Sequence, residues 1–306
     1  MGNPQFRMEF DPAHGKAVLV APEVLRVTAN NPGPFTFHGT NSYVVGKRHV
    51  VVIDPGPDDD VHFTALLGAI GKRRVSHILV THTHVDHSPL AARLKQVTGA
   101  PILAQGPHRS ARELHLGETN LLDASADHLF VPDRGVSHGE QIEADGFSMQ
   151  AVFTPGHTAN HMAFALEGQG LLFSGDHVMA WSTSIVAPPD GAMSDYMASL
   201  DVLLARSDTQ YFPGHGGPVV KPLEFVRALR AHRKMRESAI LARIRAGDRS
   251  IFKIVSVIYR DTDPRLHGAA ALSVFAHVED LLASGRIVSD GPAALDGLYE
   301  AAPLDS

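Results

Sequence analysis

The sequence predicts an α/β fold of helix-covered sheets followed by a small helical domain. Three observations carry that reading. Apolar strand-like runs alternate with amphipathic helical segments both before and after Leu114. Glycine and proline punctuate the ends of those runs. Beyond Pro222, helical periodicity takes over almost entirely. A chain of 306 residues accommodates one large domain with a small appendage.

The first strands are EVLRVTAN, TNSYVVG and HVVVID, the last two joined by a short Gly-Lys-Arg turn, and the run ends at Asp54-Pro55-Gly56. Residues 60–71 have helical spacing (Val61, Ala65, Leu66, Ala69, Ile70), with Gly71 suited to a C-cap. VSHILV is a buried-type strand. Ser88 is placed as the N-cap, and Pro89 in the first turn, of a helix through LAARLKQVTG, and PILA is the next short strand. After Leu114 the strands are DHLFVPD, EQIEADG, FSMQAVFTPG, HMAFALEGQG and GLLFSGD. SDYMASLDVLLARS returns to helix, with Tyr196, Leu200, Leu203 and Leu204 on one face, before the strand QYFPG.

Residues 223–246 then form a long basic helix. Ser250 caps IFKIVSVIY, whose Ile251, Ile254, Val255, Ile258 and Tyr259 fit an amphipathic helix. AALSVFAHVEDLLASG is another, stopped by Gly285 and trailed by a short strand, RIVS. Three helices with a trailing strand are similar to a small winged-helix domain, which divides the chain into residues 1–221 and 222–306.

The composition excludes several function classes. There is no cysteine, hence no disulfide, thiolate ligand or cysteine nucleophile, and any metal must be held by His, Asp or Glu. A net charge of −6 gives no global bias toward nucleic acid. The opening MGNPQFRMEF lacks a basic region leading into an apolar segment, and no apolar stretch approaches a membrane helix, so a cytoplasmic protein without membrane attachment is expected. Gly2 invites acylation, but Phe6 stands where that signal wants Ser or Thr. No G-x-S-x-G elbow, H-E-x-x-H helix or phosphate-binding loop is present.

The chemistry lies at strand ends. HILV runs into His82 and His84, QAVFTPG into His157, LLFSG into Asp176 and QYFPG into His215. In parallel α/β architecture the loops at carboxyl strand ends converge, so residues distant in sequence meet there. His82 and His84, two apart in extended chain, project to one side, while Asp86 and His87 fall where the chain bends and face a neighbouring position. His82, His84 and His157 would then hold one ion and Asp86, His87 and His215 a second, with Asp176 bridging. These nitrogen and oxygen donors fit two zinc ions, with iron or manganese also compatible. Hydroxide between two such ions is a nucleophile near neutral pH, so hydrolysis is the expected chemistry.

The motifs THTHVDH, PGHT, SGDH and PGHG, in this order and spacing, resemble the signature of the metallo-β-lactamase superfamily over residues 20–220. The resemblance implies a four-layer αββα sandwich with a dinuclear site on one edge. It implies further that Asp54 steadies the ligand loop from outside the ligand set, and that Asp86 is both ligand and catalytic proton acceptor or donor. The C-terminal winged-helix segment, with GTNSYVVG and GHTANHMAF, is similar to the β-lactamase-like branch that includes an endoribonuclease acting on single-stranded RNA.

Single-stranded RNA is accordingly the substrate the resemblance favours, with a thioester of the glyoxalase type, or a lactone, β-lactam or other small ester, as alternatives. A nucleic-acid or partner-binding module with a vestigial site is the non-enzymatic alternative. The nine Lys or Arg against three acids in residues 221–249 read either as an RNA track or, more commonly for such segments, as a solvated basic helix face. His161 is a candidate for touching substrate or a bound water, His177 a weaker one, and His77 reads as structural. Oligomeric state does not follow from the sequence.

Overall fold

The computed structural model describes residues 4–303, so the Met1-Gly2 opening considered for acylation lies outside the described residues. A first sheet runs in sequential order through β1 (Ala17–Ala21), β2 (Val24–Thr28), β3 (Asn41–Val45), β4 (His49–Ile53), β5 (Arg74–Leu79), β6 (Ile102–Ala104) and β7 (Arg134–Gly135). Its first four strands form an antiparallel meander, and from β4 onward pairing is parallel. Parallel neighbours need a crossover, supplied by α1 (Asp60–Ile70) and α2 (Leu90–Thr98). The second sheet contains β8 (Gln141–Ala144), β9 (Phe147–Phe153), β10 (Met162–Leu166), β11 (Leu171–Gly175), β12 (Gln210–Pro213) and β13 (Val219–Val220). There α3 (Met193–Leu204) links the parallel pair β11 and β12.

Alternation along the strands builds three stacked cores. On β4, Val50 and Val52 face Leu66, Ile70, Leu90 and Leu94 of the covering helices. Val51 and Ile53 face the opposite way, onto Met149, Phe164, Phe173 and Phe212 of the second sheet. Burial on both faces is why HVVVID reads as an unbroken apolar run. The far side of the second sheet, with Val152, Ala163, Leu172 and Tyr211, is covered by Tyr196, Leu200 and Leu203 of α3. Helix, sheet, sheet and helix thus form the four-layer αββα sandwich that the resemblance implies.

The C-terminal region comprises α4 (Pro222–Arg245), α5 (Ile251–Ile258), α6 (His267–Ala283) and the two-stranded wing of β14 (Ile287–Ser289) and β15 (Tyr299–Ala301). Ile240, Ile244, Ile254, Val274, Phe275, Val278 and Tyr299 form its own core. Ser250 accepts the Lys253 amide and caps α5. The region is docked on the sandwich, since Val226 and Leu229 of α4 and Ala276 of α6 are buried in the third core. No described helix is long and apolar enough to cross a membrane.

Two local expectations are corrected, and one strand is added to them. DHLFVPD is not a strand: Phe130 is buried in the first core between exposed Leu129 and Val131, which mimics strand alternation in a segment with no ladder partner. Ser88 does not cap α2, whose N-cap is Pro89; its hydroxyl bonds Asp127 Oδ2 at 2.7 Å instead. β1 pairs with β2 although AVLVA went unassigned, because its residues are only partly buried and its pattern is weak.

Phe164 is fully buried between the sheets. Phe164→Ala should therefore lower the unfolding free energy in urea by about 3–5 kcal/mol; a loss below about 1 kcal/mol would contradict this packing.

Candidate metal centre

The carboxyl ends of β4 and β5 are locked together by one side chain. Asp54, 2 % exposed and with φ of 48°, follows β4. Its Oδ1 accepts the Thr81 amide at 2.7 Å, and its Oδ2 accepts the Thr81 hydroxyl at 2.7 Å and His87 Nδ1–H at 3.0 Å. Thr81 Oγ1 lies 3.0 Å from His82 Nδ1 and, having given its proton to Asp54, accepts there. Asp54 therefore orients His87 directly and His82 through Thr81, as carboxylates beside ligating histidines do.

The other imidazoles are fixed similarly. His157 Nδ1 is 2.7 Å from the Ile185 carbonyl and His215 Nδ1 is 3.2 Å from the Gly39 carbonyl. With each Nδ1 donating outward, the Nε2 lone pairs of His82, His87, His157 and His215 point inward. His84 presents Nδ1, 3.0 Å from His82 Nε2 and 3.1 Å from His157 Nε2. On the other side Asp86 Oδ2 lies 3.2 Å from His87 Nε2 and 3.3 Å from His215 Nε2. Asp176 Oδ2 is 3.1 Å from His215 Nε2 and 3.8 Å from His157 Nε2, so it stands between the two groups. All seven side chains named from the sequence are brought together, in three overlapping sets whose donor atoms lie within 4.8 Å: His82, His84, His157; His82, His87, Asp176; and Asp86, His87, His215.

The donor set fits metal ions on internal grounds. Three inward nitrogens within hydrogen-bond distance of one another leave lone pairs facing lone pairs. His87 Nε2 and Asp176 Oδ1 are buried without a hydrogen-bond partner. A cation resolves both problems, and the grouping accommodates two, of zinc, iron or manganese type. Gly214 lets the β12 loop come close enough: a Cβ there would stand 2.3 Å from Asp176 Oδ1 and 2.6 Å from His87 Cε1.

Electrostatics divide the cluster. Burial, then neighbouring His157, pushes His84 down to about 3, and burial holds His82 and His157 below the usual imidazole range. For His87 and His215 burial acts in the same direction but is outweighed. Asp86, Asp176 and Asp54 hold His87 well above its ordinary value, and Asp176 with Asp86 pushes His215 up to about 9. Asp86 and Asp176, despite burial, are held well below the carboxylate range by His87 and His215.

Sequence reasoning assigned no role to Thr40 and Thr81. Thr40 Oγ1 donates to Asp86 Oδ2 at 2.7 Å, and Asn41 Nδ2 donates to the Pro213 and Gly216 carbonyls on either side of His215. The signal was the quoted GTNSYVVG motif. His161 is fully buried and does not line the cavity above the cluster; its Nε2 accepts the Asp176 amide at 3.2 Å, and its Nδ1 lies 2.9 Å from Thr154 Oγ1. His177 stacks on Tyr196 away from the donors, and His77 is a partly buried residue of β5.

Two outcomes follow. Without a cation His215, pushed up to about 9, carries a proton at neutral pH that the metal must displace, and the raised His87 acts in the same direction, so uptake should release protons and affinity should rise with pH through about 9. Calorimetry in buffers of differing ionisation enthalpy checks this, and net proton uptake would contradict it. Asp54→Asn keeps a residue that tolerates the backbone but loses the acceptor for His87, and should weaken metal binding by roughly 10–100-fold; unchanged affinity in a chelator competition would remove Asp54 from this role.

Comparison with known proteins places this geometry. Residues 35–215 match the family model of the metallo-beta-lactamase superfamily, and residues 250–294 that of the beta-lactamase associated winged helix domain. The chain is 29 % identical over 280 residues to the beta-lactamase-like protein 2 homolog of Drosophila melanogaster, covering 86 % of this chain and 89 % of that protein. It is 30 % identical over 257 residues to the atrochrysone carboxyl ACP thioesterase of Passalora fulva, covering 78 % and 69 %. In fold it is similar to a beta-lactamase domain protein from Burkholderia ambifaria, with TM-score 0.79 and 22 % identity over 98 % of this chain and 97 % of that one. A metallo-beta-lactamase family protein from Thermus thermophilus gives 0.73 and 24 % over 92 % and 99 %. The donor cluster within this fold is that of a metal-dependent hydrolase. From the family match, which spans Asp54 and all seven donors, and from the winged helix that follows it, the chain belongs to the metallo-beta-lactamase superfamily.

Proposed function

We propose that the protein hydrolyses a carboxylic thioester or ester with an apolar acyl group. One observation carries the reading: the cavity above the donors, of about 230 Å³, is walled by Phe35, Val85, Leu122, Met179 and Ile185, and no Lys or Arg lines it. Outside the donors its side-chain polar groups are Thr36 and Ser125. Such a wall suits a neutral acyl chain. A phosphodiester wants cations for its backbone.

The basic segment does not supply them. Lys221, Arg230, Lys234, Arg243 and Arg249 pair with Glu224, Asp201, Glu237, Asp248 and Glu300. Arg233 is buried on the Ser184 carbonyl, and Arg236 lies over the Tyr259 ring. Of nine cations, only Arg227 and Arg245 are left without such a partner among the described residues. The Passalora fulva relative named as an ACP thioesterase supports the same substrate class.

In this reading His82, His84 and His157 would hold one ion and Asp86, His87 and His215 another, with Asp176 between the two groups. Such ions, when bound, bring the pKa of water to about 7 and polarise the acyl carbonyl. The chain supplies the rest. Phe35, Val85 and Ile185 exclude solvent from the acyl group. Asp86, with a side chain 20 % exposed and Oδ2 fixed by Thr40, takes the proton from the attacking water and returns it to the departing thiol or alcohol.

Metal-loaded protein incubated with an acyl thioester, a lactone, a β-lactam and single-stranded RNA, each with a chelator control, tests the assignment. Chelator-sensitive turnover of the thioester is expected; cleavage of RNA in its place would overturn the substrate. Asp86→Asn should lower kcat by roughly 10²–10⁴-fold, and wild-type turnover would remove Asp86 from proton transfer.

A further inference from the structure

Two imidazoles of the donor cluster are oriented by main-chain carbonyls, and those carbonyls differ in what holds them. Gly39, which orients His215, sits in a turn tied by main-chain bonds from its own amide to Thr36 and from Ala29 to Thr40. Ile185, which orients His157, lies in the irregular segment of residues 181–186 between β11 and α3. Among the described residues no main-chain hydrogen bond reaches that segment. Trp181 stacks on Phe37 and Val186 is buried in the third core, contacts that place the segment without setting the direction of its carbonyls.

That direction is set from the appended domain. Arg233 of α4, 4 % exposed, donates from Nη2 to the Ser184 carbonyl. The Ser184 carbonyl and the Ile185 amide belong to one planar peptide unit, so holding the oxygen fixes the plane from which the Ile185 carbonyl is turned. The same guanidinium lies 4.9 Å from the centre of the Tyr196 ring. Tyr196 is fully buried and backs the loop that carries His157, since a Cβ on Gly156 would stand 2.4 Å from the Tyr196 Cα. Its hydroxyl donates at 3.1 Å to the carbonyl of His177, the residue after Asp176. Arg233 therefore touches both the segment that orients His157 and the ring on which its loop rests.

Stability alone does not account for this arginine. Its Nε is buried without a partner, and its hydrogen bond goes to a carbonyl and not to a carboxylate. Glu237, one turn further along α4, pairs with Lys234 and Arg286 instead. A buried charge without a counter-ion is opposed by desolvation. What it does supply is a strong, directional donor.

We propose that Arg233 is a positioning residue of the metal centre: by holding the Ser184 carbonyl it keeps the Ile185 carbonyl on His157 Nδ1. The winged-helix domain thereby takes part in forming the site that His82, His84 and His157 would provide. The inference rests on His157 being a ligand, as in the reading above, and not on the identity of the substrate.

Zinc dissociation constants of the full-length chain, measured by chelator competition, and urea unfolding of the metal-free protein test it. His157→Ala should lose one of two zinc equivalents; two equivalents at wild-type affinity would remove His157 from the ligands and this inference with it. Arg233→Met and the shorter Arg233→Gln, which give up the reach to Ser184, should weaken chiefly one equivalent, by roughly tenfold. Val226→Ala, about two turns away on α4, loosens docking through the third core, so it should lower the urea midpoint and leave both zinc constants at their wild-type values. Wild-type zinc constants in whichever arginine variant unfolds cooperatively would overturn the positioning role, even with the His157→Ala loss in place. A loss in Val226→Ala equal to that in the arginine variants would overturn it too, because weakened docking would then be sufficient.

Discussion

The Asp54 carboxylate is the interaction on which the rest depends. It is buried at the junction of two parallel strands, where an unpaired charge would be strongly disfavoured. Three donors converge on it, two from Thr81 and one from His87, and these offset the desolvation. Its backbone is left-handed, a conformation that costs a non-glycine residue about 1–2 kcal/mol and that Asp tolerates better than most. That strain turns the chain sharply at the end of β4. The carboxylate then meets the end of β5, where the histidine-rich loop begins. Strand register, loop shape and imidazole tautomer are thereby settled at one place.

Much of this was legible in the sequence, for a physical reason. Metal chemistry demands a few residue types, and the carboxyl ends of parallel strands are where such residues can meet. His157, Asp176 and His215 each follow an apolar run broken by glycine, so the strand pattern located them as clearly as the histidines of THTHVDH. Helix-covered sheets were readable because β4 and β11 are buried on both faces, which leaves no polar alternation; the four-layer order came from the family resemblance. Hydroxyl partners were not readable. Threonine is common at strand ends, and although GTNSYVVG marked the segment of Thr40, nothing in it shows that the hydroxyl bonds Asp86, 46 positions away. The same holds for Ser88, whose expected capping bond is replaced by a contact with Asp127, 39 positions away. Phe130 shows the limit of periodicity: its alternation with exposed neighbours is real, yet a strand exists only where a ladder partner is present.

The basic helix α4 is a related lesson in counting charge. Nine cations against three acids read either as an RNA track or, more commonly, as a solvated basic face when only their own segment was considered. In the folded chain acids from elsewhere, Asp201 and Glu300, join those three, and two arginines are taken up by a carbonyl and a ring. Local net charge describes a surface only after tertiary partners are subtracted. The same packing fastens α4 and α6 onto the sandwich and carries Glu279 of α6 to Arg112.

The seven donors sit on strand ends and their immediate loops, whereas Leu122 and Ser125 of the wall above them belong to an irregular excursion between β6 and β7, fastened chiefly through Arg112 and Asp190. Drift in Leu122 therefore leaves strand registers and imidazole tautomers untouched. The parts that would hold ions and the excursion that walls the cavity above them are thus borne by separate elements, so the inorganic chemistry is insulated from changes in that wall.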